Sequence, residues 1–579
     1  MNTTTPAIVT QDAVRRLPRA VLLLFCLAYV LPGFVGREPW KTADLTAFGV
    51  MLDLAQGGNW WSPGVLGEPA EVPGWMAYWL GAWAIEALPF LNADTAARAP
   101  FIGLLFLTLA CTWYSVYHLA RQPAAQPVTL AFGGEASPRD YARTLADAAL
   151  LALMACLGLA QLSHEGTPDL ARLAGASAMF YGAAQLALPE NRHPWRGILG
   201  WILGAVLLVF SGAPWLALTL GIGLLAGVTA GARMPVPASD WEAPPAADTR
   251  RWTVPLAAVS LAALLALAGW LGTLAPMMLP AMPLSFEEWQ RWGRMVLWFT
   301  WPAWPLAVWT LWGWRRQWLR PHLLIPLWMS AVGLMASLTT NHLDRTLLLA
   351  LPALATLAAL ALPTLRRSVS AFIDWFTPLF FSGCALIIWV IWFAMMTGFP
   401  AKPAANVAKL APGFKPEFSL LLLCIGLAST LAWIWLVRWR AGRHRQALWK
   451  SLVLPAAGAT LCWILLMSLW LPLLDFARSY GPLSRRMATL VPAGNCVVVD
   501  GLTQAQESAL RYHGGLQLVR MGQPGQADCR ALIVEPDRQD SLADRTNLTE
   551  WAFKATVRRL TDRKERLLLY LRVRPASVP

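Results

Sequence analysis

The stretch Gly36-Arg37-Glu38-Pro39-Trp40-Lys41-Thr42-Ala43-Asp44 follows directly on the first long apolar run of the chain, residues 20 to 36. A run of that kind crosses a hydrocarbon layer as a helix, because a helix satisfies its own backbone hydrogen bonds. Ionisable groups set where such a helix leaves the bilayer are costly unless a site uses them. The stretch therefore predicts a membrane-spanning helix that delivers carboxylates and cations to one face, with chemistry at that face.

The rest of the chain repeats the apolar theme. Of 579 residues 56% are apolar and only 14% charged, more hydrophobic sequence than a soluble core can use. Thirteen apolar runs stand out, at 20 to 36, 97 to 120, 143 to 162, 170 to 189, 197 to 212, 214 to 231, 253 to 275, 295 to 314, 322 to 338, 346 to 364, 371 to 397, 418 to 437 and 451 to 474. The first is too long, and lacks the small-residue cleavage site, for a removed signal peptide. With the N-terminus inside, the cytoplasmic connections carry Arg15/Arg16/Arg19, Arg121/Arg139, Arg192/Arg196, Arg233/Arg250/Arg251, Arg315/Arg316/Arg320, Arg366/Arg367 and Arg438/Arg440/Arg443/Arg445/Lys450. Each is basic, as the positive-inside rule requires. Merging the fifth and sixth runs across Ser211-Gly212-Ala213-Pro214 would put the later arginine clusters outside, so two helices are expected there. The net charge of +14 sits in these short clusters rather than in one stripe or recognition helix, which excludes nucleic acid as a partner.

Residues 37 to 96 form a long external connection with an amphipathic segment Leu45 to Ala55, then Trp60-Trp61 and Trp75-Met76-Ala77-Tyr78-Trp79-Leu80. This density of Trp and Tyr predicts helices lying along the headgroup layer. The loop 276 to 294, with Phe286-Glu287-Glu288-Trp289-Gln290-Arg291-Trp292, has the same character. After residue 474 the composition is that of a soluble domain: strand-like runs Cys496 to Val499, Leu516 to Val519 and Ala531 to Val534 surround a helical stretch Gln504 to Tyr512. Trp551 to Leu560 and Leu567 to Val573 read as a hairpin around the turn Asp562-Arg563-Lys564-Glu565. In an oxidising compartment Cys496 and Cys529 are a plausible disulfide, while the six other cysteines lie in apolar runs and act as small hydrophobes. The expected fold is mainly α: a polytopic membrane bundle of about 13 helices over residues 1–474, external interfacial helices in 37–96, and a small periplasmic α/β domain over 475–579.

Arg37-Glu38-Pro39-Trp40, Asp44, Gly58-Asn59-Trp60 with Pro63 and Gly67, Glu71-Val72-Pro73 and Tyr78-Trp79 resemble the first external loop of the polyprenyl-phosphate-dependent membrane glycosyltransferases. That group, the C-type glycosyltransferase superfamily, contains the lipid A aminoarabinose transferases and the protein O-mannosyltransferases. The helix count and trailing external domain resemble the aminoarabinose transferases along the whole chain, and the motif match is concentrated in residues 37 to 100. The chain departs from the pattern at Leu45, where the family has glutamate, at Val72 and at Ser211-Gly212-Ala213-Pro214, and it has no clear counterpart of the family's external metal-binding histidine.

The resemblance implies transfer of a sugar from a polyprenyl phosphate to a lipid-linked or envelope glycan, with inversion, at the periplasmic face of the bacterial inner membrane. Such a reaction needs a base for the acceptor hydroxyl and cations for the phosphate. Asp44 is the candidate base; capping the helix that starts at Leu45 is its structural alternative. Arg98, Arg345, Lys41 and Arg37 are candidates for the donor phosphate, against roles as interfacial or paired cations. Glu71, Asp169, Glu165 and Tyr78 are candidate substrate contacts, with Thr167 and Asp169 equally suited to start a helix. A divalent metal stays open: Glu71 and His164 could take one, with no ligand spacing that requires it. Protein O-glycosylation, lipid-sugar transport and a non-catalytic scaffold are the rival readings.

Overall fold

A computed structural model describes residues 5–130, 132–188, 191–233, 249–273, 285–338, 343–441, 447–492 and 494–573. Thr340-Asn341-His342, Arg443, Arg445 and the loop segment 276 to 284 lie outside the described residues. Helices dominate, and each of the thirteen apolar runs carries one. Among the described residues seven helices have the length and composition to cross a membrane: Ala93–Ala120, Pro214–Gly231, Arg250–Trp270, Asp344–Thr364, Ser368–Thr397, Leu420–Arg440 and Lys450–Ser468. Arg19–Val30, Pro194–Phe210 and Pro321–Ser337 are apolar but shorter.

Beside the run 451 to 474, whose helix ends at Ser468, two runs expected to be continuous are broken. The run 143 to 162 becomes Pro138–Ala155 and Leu159–Leu162, and 295 to 314 becomes the end of Phe286–Phe299 followed by Ala303–Gly313. Pro302 has no amide to donate at the second break. The two breaks satisfy each other: the Leu157 amide donates to the Trp301 carbonyl at 3.1 Å and the Gly158 amide to the Phe299 carbonyl at 2.9 Å. Irregular backbone at membrane depth is tolerated where protein supplies its partners. Gly158 is needed for the approach, since a Cβ there would sit 2.2 Å from the Phe299 ring.

The chain divides into two compact units: Met1–Phe34, Phe101–Leu386 and Leu423–Ser468 form one, and Val35–Pro100, Ile387–Leu422 and Leu469–Pro579 the other. In the first, helices Pro168–Leu186 and Pro194–Phe210 meet through glycines; a Cβ on Gly204 would lie 2.5 Å from the Gly175 carbonyl oxygen. Small residues give membrane helices such close contact without a hydrophobic drive. The turn after Phe210 uses Gly212 at φ +78°, so the helices on either side of Ser211-Gly212-Ala213 are separate, as the charge pattern requires.

In the second unit the helix Ala43–Ala55 corrects the expectation of an amphipathic surface element. Its residues 44 to 52 and 54 are all buried. It packs on helices Met76–Ala87 and Gln504–Tyr512, and Gly81 and Gly49 leave room for Met51 and Ser508 against them. A two-stranded ribbon, Gly64–Val65 with Glu68–Pro69, turns at Leu66-Gly67. Both turn residues have positive φ, 51° and 80°, as a two-residue hairpin turn demands. The loop is tied to C-terminal residues: Gln504 donates to the Pro69 carbonyl at 2.7 Å, Gln523 to that of Leu66 at 3.0 Å, and Arg511 to Asp53 at 2.5 Å.

The C-terminal sheet has the strand order Leu518–Arg520, Val497–Asp500, Ala531–Val534, Asp562–Arg572, Trp551–Arg559, with the first three parallel and the last two antiparallel. Helix Gln504–Tyr512 starts with a capping box from Thr503 and Gln506. The terminal hairpin turns at Leu560-Thr561, and the charged segment 562 to 565 expected as the turn is instead the start of the last strand. Ion pairing carries it there, Glu565 accepting from Arg559 at 2.7 Å. Cys496 and Cys529 form a disulfide with Cα atoms 4.7 Å apart.

Candidate functional site

Asp44 lies in the first turn of Ala43–Ala55, 3% exposed. Its Oδ2 accepts from Arg37 Nη2 at 2.9 Å and from the Trp40 amide at 3.2 Å. The carboxylate thus reaches back along the loop that precedes its helix. Thr42, the residue at the cap position, makes no side-chain capping bond. Arg37, 1% exposed, is a buried partner of the candidate base, and its guanidinium lies 4.5 Å from the Trp40 ring.

Arg98 stands beside this pair, 3% exposed. Its Nη1 donates to the Arg37 carbonyl oxygen. Its Nη2 lies 3.8 Å from Asp94 Oδ2 and makes no hydrogen bond among the described residues. A buried guanidinium normally satisfies its N–H groups, so this edge can take another anionic oxygen.

Trp40 links the loop to the last segment of the unit. Its indole N–H donates to Asp475 Oδ1 at 2.7 Å, and the Arg478 guanidinium lies 5.1 Å from its ring. Burial pushes the Asp475 carboxyl up to about 7, against the lowering effect of the Trp40 hydrogen bond and the Arg37 charge. Lys41 does not stand free for phosphate: its Nζ is 2.7 Å from Glu565 Oε1 and 3.5 Å from Asp562 Oδ2. Burial raises the Glu565 carboxyl, yet hydrogen bonds from Lys41 and Arg559 outweigh it and hold the group below its ordinary range.

Arg345, Glu165 and Asp169 form a second centre, in the first unit. Arg345 Nη2 pairs with Glu165 Oε2, and its Nη1 lies 3.4 Å from Asp169 Oδ2. Glu165 is buried and also accepts from Gln161 at 3.2 Å. Asp169 accepts from Arg172 at 3.1 Å, and Arg172 continues to the Ser211 carbonyl at 2.8 Å. Thr167 precedes the helix Pro168–Leu186 but makes no capping bond.

The remaining candidates sit elsewhere. Tyr78 is buried, its hydroxyl donating to the Val72 carbonyl at 2.8 Å. Glu71 is exposed, and its amide donates to Gln504 at 3.2 Å. His164 is fully buried; Nε2 donates to the Tyr29 carbonyl at 3.0 Å, Nδ1 faces the Ala160 carbonyl, and the ring lies 4.7 Å from that of Trp463. Both nitrogens face backbone carbonyls. Among the described residues no three His, Cys, Asp or Glu side chains are placed to hold a metal ion.

Asp475, Asp94, Arg172 and Glu565 were not singled out in the sequence. Asp94 and Arg172 had a local signal, standing four residues before Arg98 and three after Asp169 on their helix faces.

No protein-family model and no curated protein matches the sequence. Among solved structures, ArnT from Cupriavidus metallidurans in the apo state aligns with a TM-score of 0.63 at 13% identity, over 95% of this chain and 97% of that one. The same protein bound to undecaprenyl phosphate aligns with a TM-score of 0.59 at 15% identity, over 97% and 98%. At these identities the likeness is one of fold. The chain has the polytopic helical fold of ArnT, with a small sheet near its C-terminus.

Proposed function

We propose that this chain is an integral-membrane glycosyltransferase that moves a sugar from a polyprenyl-phosphate carrier to a hydroxyl of a lipid-linked or envelope glycan. The reaction takes place at the periplasmic face of the bacterial inner membrane, with the N-terminus in the cytoplasm and residues 475–579 forming a periplasmic domain. The observation that carries the reading is the buried Arg37–Asp44 pair with Arg98 beside it, in the external loop whose motif resembles that family. The fold shared with ArnT, solved with undecaprenyl phosphate bound, supports the donor class.

In this reading Asp44 accepts the proton of the acceptor hydroxyl as the oxygen attacks the anomeric carbon. The bond from that carbon to the phosphate oxygen breaks on the opposite face, its electron pair stays on the phosphate, and the configuration inverts. Arg37 holds the carboxylate in place, and the open edge of Arg98 takes charge on the departing phosphate. Arg345 is already divided between two carboxylates, so a phosphate there would compete with them for its charge. Vesicles supplied with carrier-linked sugar and acceptor test the assignment: Asp44→Asn retaining full transfer would remove Asp44 as the base.

One observation favours a second reading, lipid-sugar transport: the pair of broken helices, a feature of transporters. Their breaks, Cys156-Leu157-Gly158 and Thr300-Trp301-Pro302, contain no ionisable residue apart from a buried thiol. That composition fits a structural joint better than a substrate site. Sugar carrier moved across vesicles but never transferred would favour transport.

A further inference from the structure

Helix Gln504–Tyr512 lies against Ala43–Ala55, the helix that carries Asp44. Three contacts fix it there. Arg511 donates to Asp53 at 2.5 Å and to Gln56 at 2.8 Å. Ser508 comes so near Gly49 that a Cβ there would lie 1.8 Å from its hydroxyl oxygen. The Tyr512 ring meets that of Phe48 edge-on, with centroids 4.8 Å apart. Phe48 stands about one helical turn after Asp44.

From this position the Tyr512 hydroxyl donates to Asp94 Oδ1 at 3.1 Å. Asp94 lies on helix Ala93–Ala120, about one turn before Arg98. One side chain of the C-terminal segment thus touches both helices of the proposed site, the one with the base and the one with the phosphate cation.

That contact bears on the open edge of Arg98. Nη1 is taken by the Arg37 carbonyl, while Nη2 makes no hydrogen bond among the described residues. Asp94 Oδ2 stands 3.8 Å from Nη2, too far for a hydrogen bond. An acid and an arginine four residues apart on one helix attract each other, the more so where water is scarce. These two side chains are only 14% and 4% exposed, so a bonded pair is the expected arrangement. Asp94 stops short of it with its other oxygen engaged by Tyr512. Burial and the Asp94 charge push the Tyr512 hydroxyl up to about 12, so it keeps its proton and stays a donor at neutral pH.

We propose that Tyr512 is a positioning residue of the donor site: it holds Asp94 off Arg98 and so keeps the Nη2 edge open for the phosphate of the polyprenyl carrier. The inference rests on the reading that Arg98 takes that phosphate. Without the hydroxyl, Asp94 closes on Arg98 and an incoming phosphate has to displace it. A Tyr512 that served only to dock the helix would leave phosphate affinity unchanged.

The test is binding of undecaprenyl phosphate to the full-length protein in phosphatidylcholine nanodiscs at pH 7, with no acceptor present. Tyr512→Phe keeps the ring against Phe48 and should raise the Kd by about tenfold, the size of one charge-assisted hydrogen bond. Adding Asp94→Asn removes the competing charge and should bring the Kd back to within about threefold of the unaltered protein, a rescue that lost packing cannot give. An unchanged Kd in Tyr512→Phe, or no rescue by Asp94→Asn while both variants unfold cooperatively, overturns the role of Tyr512 and leaves the donor reading standing. Failure of the unaltered protein to bind undecaprenyl phosphate overturns the donor reading and this inference together.

Discussion

The centre at Asp44 and the centre at Arg345 use the same side-chain chemistry and finish it differently. At Arg345 one guanidinium is divided between Glu165 and Asp169, and Asp169 is further held by Arg172. Such a network, its acids each answered by a donor, braces the helices that carry it. At Asp44 a carboxylate is pinned by Arg37, yet the neighbouring Arg98 keeps an N–H edge with no hydrogen-bond partner among the described residues. Burial and charge alone would make both centres braces; the open edge of Arg98 is what motivates the proposal of a site at Asp44.

The largest expected effect separates the two directly. Asp44→Asn keeps an acceptor for Arg37 and the Trp40 amide but cannot take a proton, so transfer in vesicles should fall by about 10²- to 10⁴-fold with cooperative unfolding retained. Arg345→Met removes the partner of two largely buried acids, and denaturant unfolding should show a loss of about 3–5 kcal/mol. If the surviving folded protein loses transfer as completely as Asp44→Asn, the Arg345 centre contacts the carrier and the contrast fails. Arg98→Lys keeps the charge and loses the fork, so the KM for the carrier-linked sugar should rise by about 10- to 100-fold, the worth of one charged hydrogen bond.

A smaller effect concerns Asp475. Its folded carboxyl, raised by burial to about 7, holds its proton more tightly than in the unfolded chain at ~3.9. The stabilisation is complete below about pH 4 and is lost as pH rises through about 7. The melting temperature should therefore decline between about pH 4 and 7, and Asp475→Asn should flatten that decline. Smallest is Lys41→Ala, which breaks a partly exposed pair with Glu565 and should cost about 0.2–1 kcal/mol with little change in transfer.

Most of the helices were legible because long apolar runs have few alternatives in a bilayer, and the basic loops supplied a second reading of the same topology. The core of the proposed site was legible as a cluster, since Arg37, Asp44 and Arg98 lie within one stretch of motif and the structure brings them together. Their partners were not: Asp475 meets Trp40 across 435 residues and Glu565 meets Lys41 across 524, separations that leave no local pattern. The helix Ala43–Ala55 misled because a segment polar at one end reads as amphipathic, while glycines at 49 and 81 let neighbours enclose it. The charged segment 562 to 565 read as a turn because composition cannot reveal a cross-strand ion pair.

The bonded breaks at Leu157-Gly158 and Phe299-Trp301 also set an order of biosynthesis. Cys156 and Thr300 flank the joint 144 residues apart in sequence, so the earlier backbone enters the bilayer with amides whose acceptors the ribosome has not yet made. Those groups must wait at the insertion machinery, or in water, until the later segment is synthesised. A nascent chain halted before residue 299 is thus a membrane protein unable to close its own backbone account.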